Sequence, residues 1–241
     1  AYLSAKGEQY KLSWKRSGTG LRRNAEDGIV RQVYPGVQKS QIRGNVGMHQ
    51  SALAMAAVVL DTFPETKEWL DFNNKTGGLV ANPWRVTGGN LLASIVNDVD
   101  RDGNGNEASP GYNRLWLNNF LQVANVLYGY DKYPQADLFD NVKFRKMFHA
   151  AYPLLLSERY IPQIGDTEMT GNPSLNGLDV AQMVQAFEVY GDPIFAQMAH
   201  FLNNNSAEGL HGDIFSADPE SVKSRIEAVV EQEGPLDLAS S

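Results

Sequence analysis

Apolar residues in this chain recur mostly at the three-and-four spacing of an amphipathic helix, rarely at the alternation of a strand. Met48, Ala52, Leu53, Ala56, Val59 and Leu60 mark one helix over 48–60, closed by Pro64. Residues 65–72 predict a short helix, "NNKTGG" (73–78) a turn, and Leu91, Leu92, Ile95 and Val96 another helix. The clearest period is Leu115, Leu117, Phe120, Leu121, Ala124, Leu127 and Tyr128, with Gly129 as its stop signal. Helices over 141–158, 177–190 and 192–204 follow, the last opened by Asp192-Pro193, and "SADPESVKSRIEAVVEQ" from 216 predicts one more. Residues 1–44, rich in Gly, Ser, Gln and charge, read as irregular with a short strand or two. The expected fold is a mainly α chain of roughly seven helices, paired as hairpins and joined by long loops of the kind that carry function, in one domain over 1–241.

Composition narrows the chemistry. No apolar run approaches the roughly eighteen residues of a membrane-spanning helix. The chain has no cysteine, which excludes disulfides and thiolate metal sites. A net charge of −7 argues against a general nucleic-acid binder. The charge is uneven: residues 1–50 carry nine basic and three acidic side chains. That segment suits an anionic ligand or is simply a run of solvated loop charges.

One loop stands out, "DVDRDGNGNEASPGYN" (98–113). Asp98, Asp100, Asp102 and Gly103 fall at the first, third, fifth and sixth positions of a calcium-binding EF-hand loop. The twelfth position, where the motif needs a bidentate Glu, is Ser109, and Glu107 comes too early. Calcium on Asp98, Asp100 and Asp102 is therefore a weak candidate beside a plain solvated turn. The second half is better determined. Ser109 suits an N-cap and Pro110 the first helical position, so Tyr112 falls in the first turn of the next helix. The helix dipole there favours phenolate and attracts anions, although most such tyrosines only pack. At a second helix start, "IRGNVGMHQSALAMAAVVLD", Asn45 stands just before the helix and His49 in its first turn.

Three stretches together, "RGNVGMHQSALAMAAVVL", "DGNGNEASPGYNRLWL" and "YIPQIGDTEM", resemble the heparinase II/III-like polysaccharide lyases, a family related to the alginate lyases. They occur in the family's order across about residues 43–170. The resemblance implies an incomplete α/α toroid of helical hairpins, followed in the family by β-sheet domains. No such β region is expected here, so the chain is expected to be a piece of a larger lyase. A periplasmic or secreted location is also implied.

These lyases cut beside a uronic acid by β-elimination. The C5 proton becomes removable once the sugar carboxylate is neutralised or hydrogen-bonded; a base then takes that proton and an acid protonates the leaving oxygen on C4. By resemblance, Asn45 holds the carboxylate and Tyr112 serves as acid, and as base for some substrate configurations. His49 is a further catalytic candidate, while Glu107, Asn113 and Arg43 are candidates for holding substrate. The expected partner is an anionic uronate polysaccharide, with no cofactor apart from the weak calcium possibility. Two departures weaken the match: Val46 stands where several members have histidine, and another family histidine comes from the β-sheet domain. Asp166 reads as a structural loop acid. The alternatives are a glycoside hydrolase using Asp102 or Glu107 with Asp166, which needs two carboxyl groups across one bond, or a non-catalytic carbohydrate-binding module.

Overall fold

The computed structural model describes residues 18–39, 41–42, 44–78, 89–167, 178–213 and 216–238. Over these residues the chain is mainly helical. The α-helices are α1 (Gly18–Ala25), α2 (Arg31–Gln38), α3 (Met48–Leu60), α4 (Glu65–Asp71), α5 (Leu91–Asp98), α6 (Pro110–Leu127), α7 (Val142–His149), α8 (Val180–Tyr190), α9 (Pro193–Leu202) and α10 (Ser221–Glu233). Wider π turns occupy Glu26–Val30 and Phe72–Thr76, and 3₁₀ turns Pro134–Ala136 and Tyr152–Leu154. Extended pairing among the described residues is limited to isolated bridges, Val99 with Gly105 and Leu156 with Tyr160. No helix there is long and apolar enough to cross a membrane. The chain divides into two compact units, one of residues 1–94 and 119–137, the other of 95–118 and 138–241.

In the first unit α2 packs on α3 and α3 on α4. Leu53, Ala54, Ala57, Leu70, Phe120 and Val123 are fully buried at its centre. Helix α3 begins at Gly47, whose φ of 89° leaves its N–H donating to Gln50 Oε1 at 3.0 Å. A Cβ there would sit 2.5 Å from that of Asn119, whose amide donates to Val46 O at 2.8 Å. The α3–α4 connection is closed by one hydroxyl. Thr66 Oγ1, fully buried, donates to Ala57 O at 3.0 Å and accepts from Thr62 N–H at 2.9 Å.

Two expectations for this unit need correction. Within the segment read as irregular, residues 18–38 are helical. The cause lies in partners distant in sequence. Tyr34 stacks on Trp69 and meets Phe72 edge-on, each at 5.4 Å between ring centres, Arg31 pairs with Glu65, and Val37 is buried. Such packing, rather than intrinsic propensity, supplies most helical stability in proteins. The "NNKT" stretch is not a turn either; it continues α4 as a π-helical run. Asn73 and Asn74 point inward, and Asn74 Nδ2 donates to Leu70 O at 2.9 Å.

The second unit is a stack in which α7 packs on α8, α8 on α9 and α9 on α10. Asp179 and Asp192 cap α8 and α9, each carboxylate accepting backbone N–H groups of the first turn. Phe144, Phe148, Tyr190 and Phe195 meet mostly edge-to-face beneath this stack. Arg145 closes its rim, paired with Asp192 at 2.8 Å and lying 5.1 Å from the centre of the Tyr190 ring. The helix expected over 141–158 stops at His149, because Pro153 cannot continue it. A tight turn follows, with Ser157 and Glu158 at φ of 50° and 56°.

Candidate functional site

The loop between α5 and α6 is closed by its own backbone. Asp100 N–H donates to Asn104 O at 2.7 Å, and Asn106 N–H to Asp98 O at 2.9 Å. The Asp102 carboxylate accepts the backbone N–H and the side-chain amide of Asn104, at 3.0 and 3.1 Å. Those bonds, led by the backbone one, hold its pKa below the usual carboxylate range. Asp98 accepts from the Asn106 amide at 3.3 Å, and burial pushes its carboxyl up. Among the described residues no three His, Cys, Asp or Glu side chains are gathered to hold a metal. Within the loop, the amides of Asn106 and Asn104 engage Asp98 and Asp102.

Helix α7 clamps this loop. Lys143 Nζ donates to Val96 O at 2.6 Å and Val99 O at 2.5 Å, neutralising the carbonyl end of α5, and Lys146 Nζ donates to Arg101 O at 2.9 Å. Gly103, at φ 94°, passes so close to α7 that a Cβ would lie 2.2 Å from Lys146 O. On the other side Asn113 Oδ1 accepts Gly105 N–H at 2.9 Å while its Nδ2 donates to Asn104 Oδ1 at 2.9 Å. Asn113, expected as a substrate contact, uses both ends of its amide in holding the loop.

The start of α6 follows the capping pattern read from the sequence. Ser109, 1% exposed, accepts the Tyr112 N–H on Oγ at 3.4 Å, and its carbonyl accepts the Asn113 N–H at 2.9 Å. The 164–167 turn is pressed against this start. Thr167 Oγ1 donates to Ile164 O at 2.6 Å and so takes its second hydrogen bond, 2.9 Å long, from Ser109. A Cβ on Gly111 would lie 2.8 Å from Thr167 O, and one on Gly165, at φ 58°, 2.9 Å from Ala108 O. Glycine at both positions is what lets the turn lie flush on the helix.

That packing puts Asp166 beside Tyr112. The half-buried phenol lies in the field of the Asp166 and Glu107 carboxylates. Its pKa is raised above the ordinary phenol value, first by the Asp166 charge, with burial and the Glu107 charge acting in the same direction. The helix-start field was expected to favour phenolate; two neighbouring carboxylates reverse the sign. Asp166 was read only as a loop acid, because nothing local in "IPQIGDT" reveals a partner so far back in the chain.

In the other unit, Asn45 is half-buried and its carbonyl accepts the Met48 N–H at 3.1 Å. The cap of α3 is Gly47, so the Asn45 side chain is not used as the N-cap. His49 is only 3% exposed, packed inside the first turn of α3. Arg43 lies outside the described residues, as do the last two residues of "YIPQIGDTEM". Among the described residues, Tyr112 therefore has Asp166 and Glu107 as its charged neighbours. Compared with known proteins, the chain matches no family model, no curated protein and no solved structure.

Proposed function

We propose that this chain is the helical part of a polysaccharide lyase that cleaves uronate polymers by β-elimination, with Tyr112 as the proton donor. One observation carries the reading: a solvent-reachable phenol on the first turn of a helix, with the carboxylates of Asp166 and Glu107 nearby. In the reaction the C5–H bond breaks and its proton passes to a base. Its electron pair forms the C4–C5 double bond, and the C4–O bond breaks with its electrons on the leaving oxygen. Tyr112 delivers its proton to that oxygen and is later reprotonated from solvent. A donor for an alkoxide leaving group must hold its proton at neutral pH, as a phenol does. Asn45 takes the carboxylate-binding role that the resemblance gives it. The same reading carries an incomplete α/α toroid as architecture and a periplasmic or secreted location.

The experiment is incubation with heparan sulfate, hyaluronan and alginate, following the ultraviolet absorbance of the unsaturated product. Tyr112→Phe is expected to lower kcat by roughly 10²–10⁴-fold, the usual contribution of a positioned acid, while polymer binding persists. Equal turnover by Tyr112→Phe and the parent protein sinks the reading. A second reading draws on the pairing of Glu107 and Asp166 around one phenol: a glycoside hydrolase with these two carboxyls as acid and base. New reducing ends without unsaturated product would select it.

A further inference from the structure

We infer that Asn104–Gly105 is a self-modification site, an asparagine that deamidates on its own backbone, and that the Asn113 amide of α6 is the clamp that holds it closed.

Asparagine followed by glycine is the pair best suited to this chemistry, because no side chain on the second residue hinders ring closure. The Gly105 nitrogen gives its proton to solvent base and attacks Cγ of Asn104. A C–N bond forms, the Cγ–Nδ2 bond breaks, and the amide nitrogen leaves as ammonia. Water then opens the cyclic imide at either carbonyl. The product at 104 is aspartate or, with one more carbon in the main chain, isoaspartate.

In the folded loop every group of this reaction is engaged. Gly105 N–H, the nucleophile, donates to Asn113 Oδ1 at 2.9 Å. Asn104 Oδ1 accepts from Asn113 Nδ2 at 2.9 Å, and Asn104 Nδ2 donates to Asp102 Oδ2 at 3.1 Å. One side chain therefore grips both the attacking nitrogen and the amide it would attack. The peptide between them is held from the other side too, where Asn104 O accepts Asp100 N–H at 2.7 Å. Gly105 is buried, and a Cβ there would lie 3.0 Å from the ring of Trp116, so the peptide has little room to turn. The clamp stands on firm ground, in the first turn of α6, with its own N–H on Ser109 O at 2.9 Å. Asn104 is half-buried, so solvent base reaches the pair once the clamp opens. The change is one-way. A carboxylate at 104 can no longer donate to Asp102 and repels it, so the loop does not close again in its first form.

The experiment keeps the full chain, Asn113→Ala, Asn113→Asp and a synthetic peptide of residues 98–113 at mildly alkaline pH. Peptide mapping by mass spectrometry follows the amide-to-acid mass gain and the isoaspartate at 104. Asn176–Gly177, the other such pair in the sequence, is the internal reference. Opening the two Asn113 bonds together is worth roughly 10–100-fold, so Asn104 in the parent protein should react slower than the peptide by that factor. Asn113→Ala should erase most of the difference. Asn113→Asp, which can still accept Gly105 N–H but cannot donate to Asn104, should erase part of it. A parent protein that reacts as fast as the peptide overturns the inference. So does a folded Asn113→Ala protein, verified by circular dichroism, that reacts as slowly as the parent. A rise shared equally with Asn176 marks general loosening and overturns the clamp as well.

Discussion

Replacing Gly103 by alanine probes how tightly the loop between α5 and α6 is held. At φ 94° an L-residue is strained, which costs about 1–2 kcal/mol. The new methyl would also lie 2.2 Å from Lys146 O and 2.4 Å from the carbonyl carbon, both backbone atoms of a packed helix. Ordinary carbon–oxygen contact begins near ~3.3 Å, so the loop must retreat by about 1 Å. That retreat stretches the bonds from Lys146 to Arg101 O and from Lys143 to Val99 O. Both lie near the surface, and weakening them adds about 1–2 kcal/mol, giving a total of about 2–4 kcal/mol. Gly191→Ala in the same unit is the control: its φ is 65°, but a Cβ there meets nothing within 4 Å. It should lose only the backbone contribution, about 1 kcal/mol. Urea unfolding followed by circular dichroism and tryptophan fluorescence measures both, since buried Trp116 lies against Gly105 in this loop. Equal losses for the two variants would falsify the close approach of the loop to α7.

Two further perturbations address the first unit. Thr66→Val preserves shape but removes the hydroxyl that joins Ala57 O to Thr62 N–H; a loss of about 1–2 kcal/mol in urea unfolding is expected, largely restored by Thr66→Ser, and no loss would mean the hydroxyl holds nothing. The Asp71–Tyr133 hydrogen bond, 2.6 Å long, should give stability a pH window. The Asp71 pKa is lowered, chiefly by Lys67 and then by Tyr133, so its contribution is present above the unfolded carboxylate pKa and is lost as pH falls through the folded one. The Tyr133 pKa is raised, by burial first and then by Asp71, so its contribution is present below the unfolded phenol pKa and is lost as pH rises through the folded one. Melting curves of Tyr133→Phe that track the parent protein through strong alkali would count against this assignment.

Helices with a complete local signature were legible in the sequence. The apolar period of 48–60, the Ser109-Pro110 start and the Asp192-Pro193 start all match observed helices, because caps and periodicity act within a few residues. The helices at 18–38 escaped detection because their apolar residues are made useful by Trp69, Phe72 and Glu65, partners the local pattern cannot show. The site divided the same way. Tyr112 on the first turn of α6 could be placed from Ser109 and Pro110 alone. Its partnership with Asp166 could not, since it depends on two glycines being small enough for one backbone to lie on another. Nor does the local pattern show that the Asn113 amide joins the Gly105 N–H and the Asn104 side chain of its own loop.

Gly111 and Gly165 carry no polar group, yet they set how closely the 164–167 turn lies on the start of α6. The tolerance of this arrangement is thus written in two absent methyl groups. A single carbon added at either place acts as a shim, lifting the turn from the helix while leaving every polar side chain chemically intact. Substitutions that silence the Tyr112 group would therefore surface at positions that no ligand touches and no titration detects.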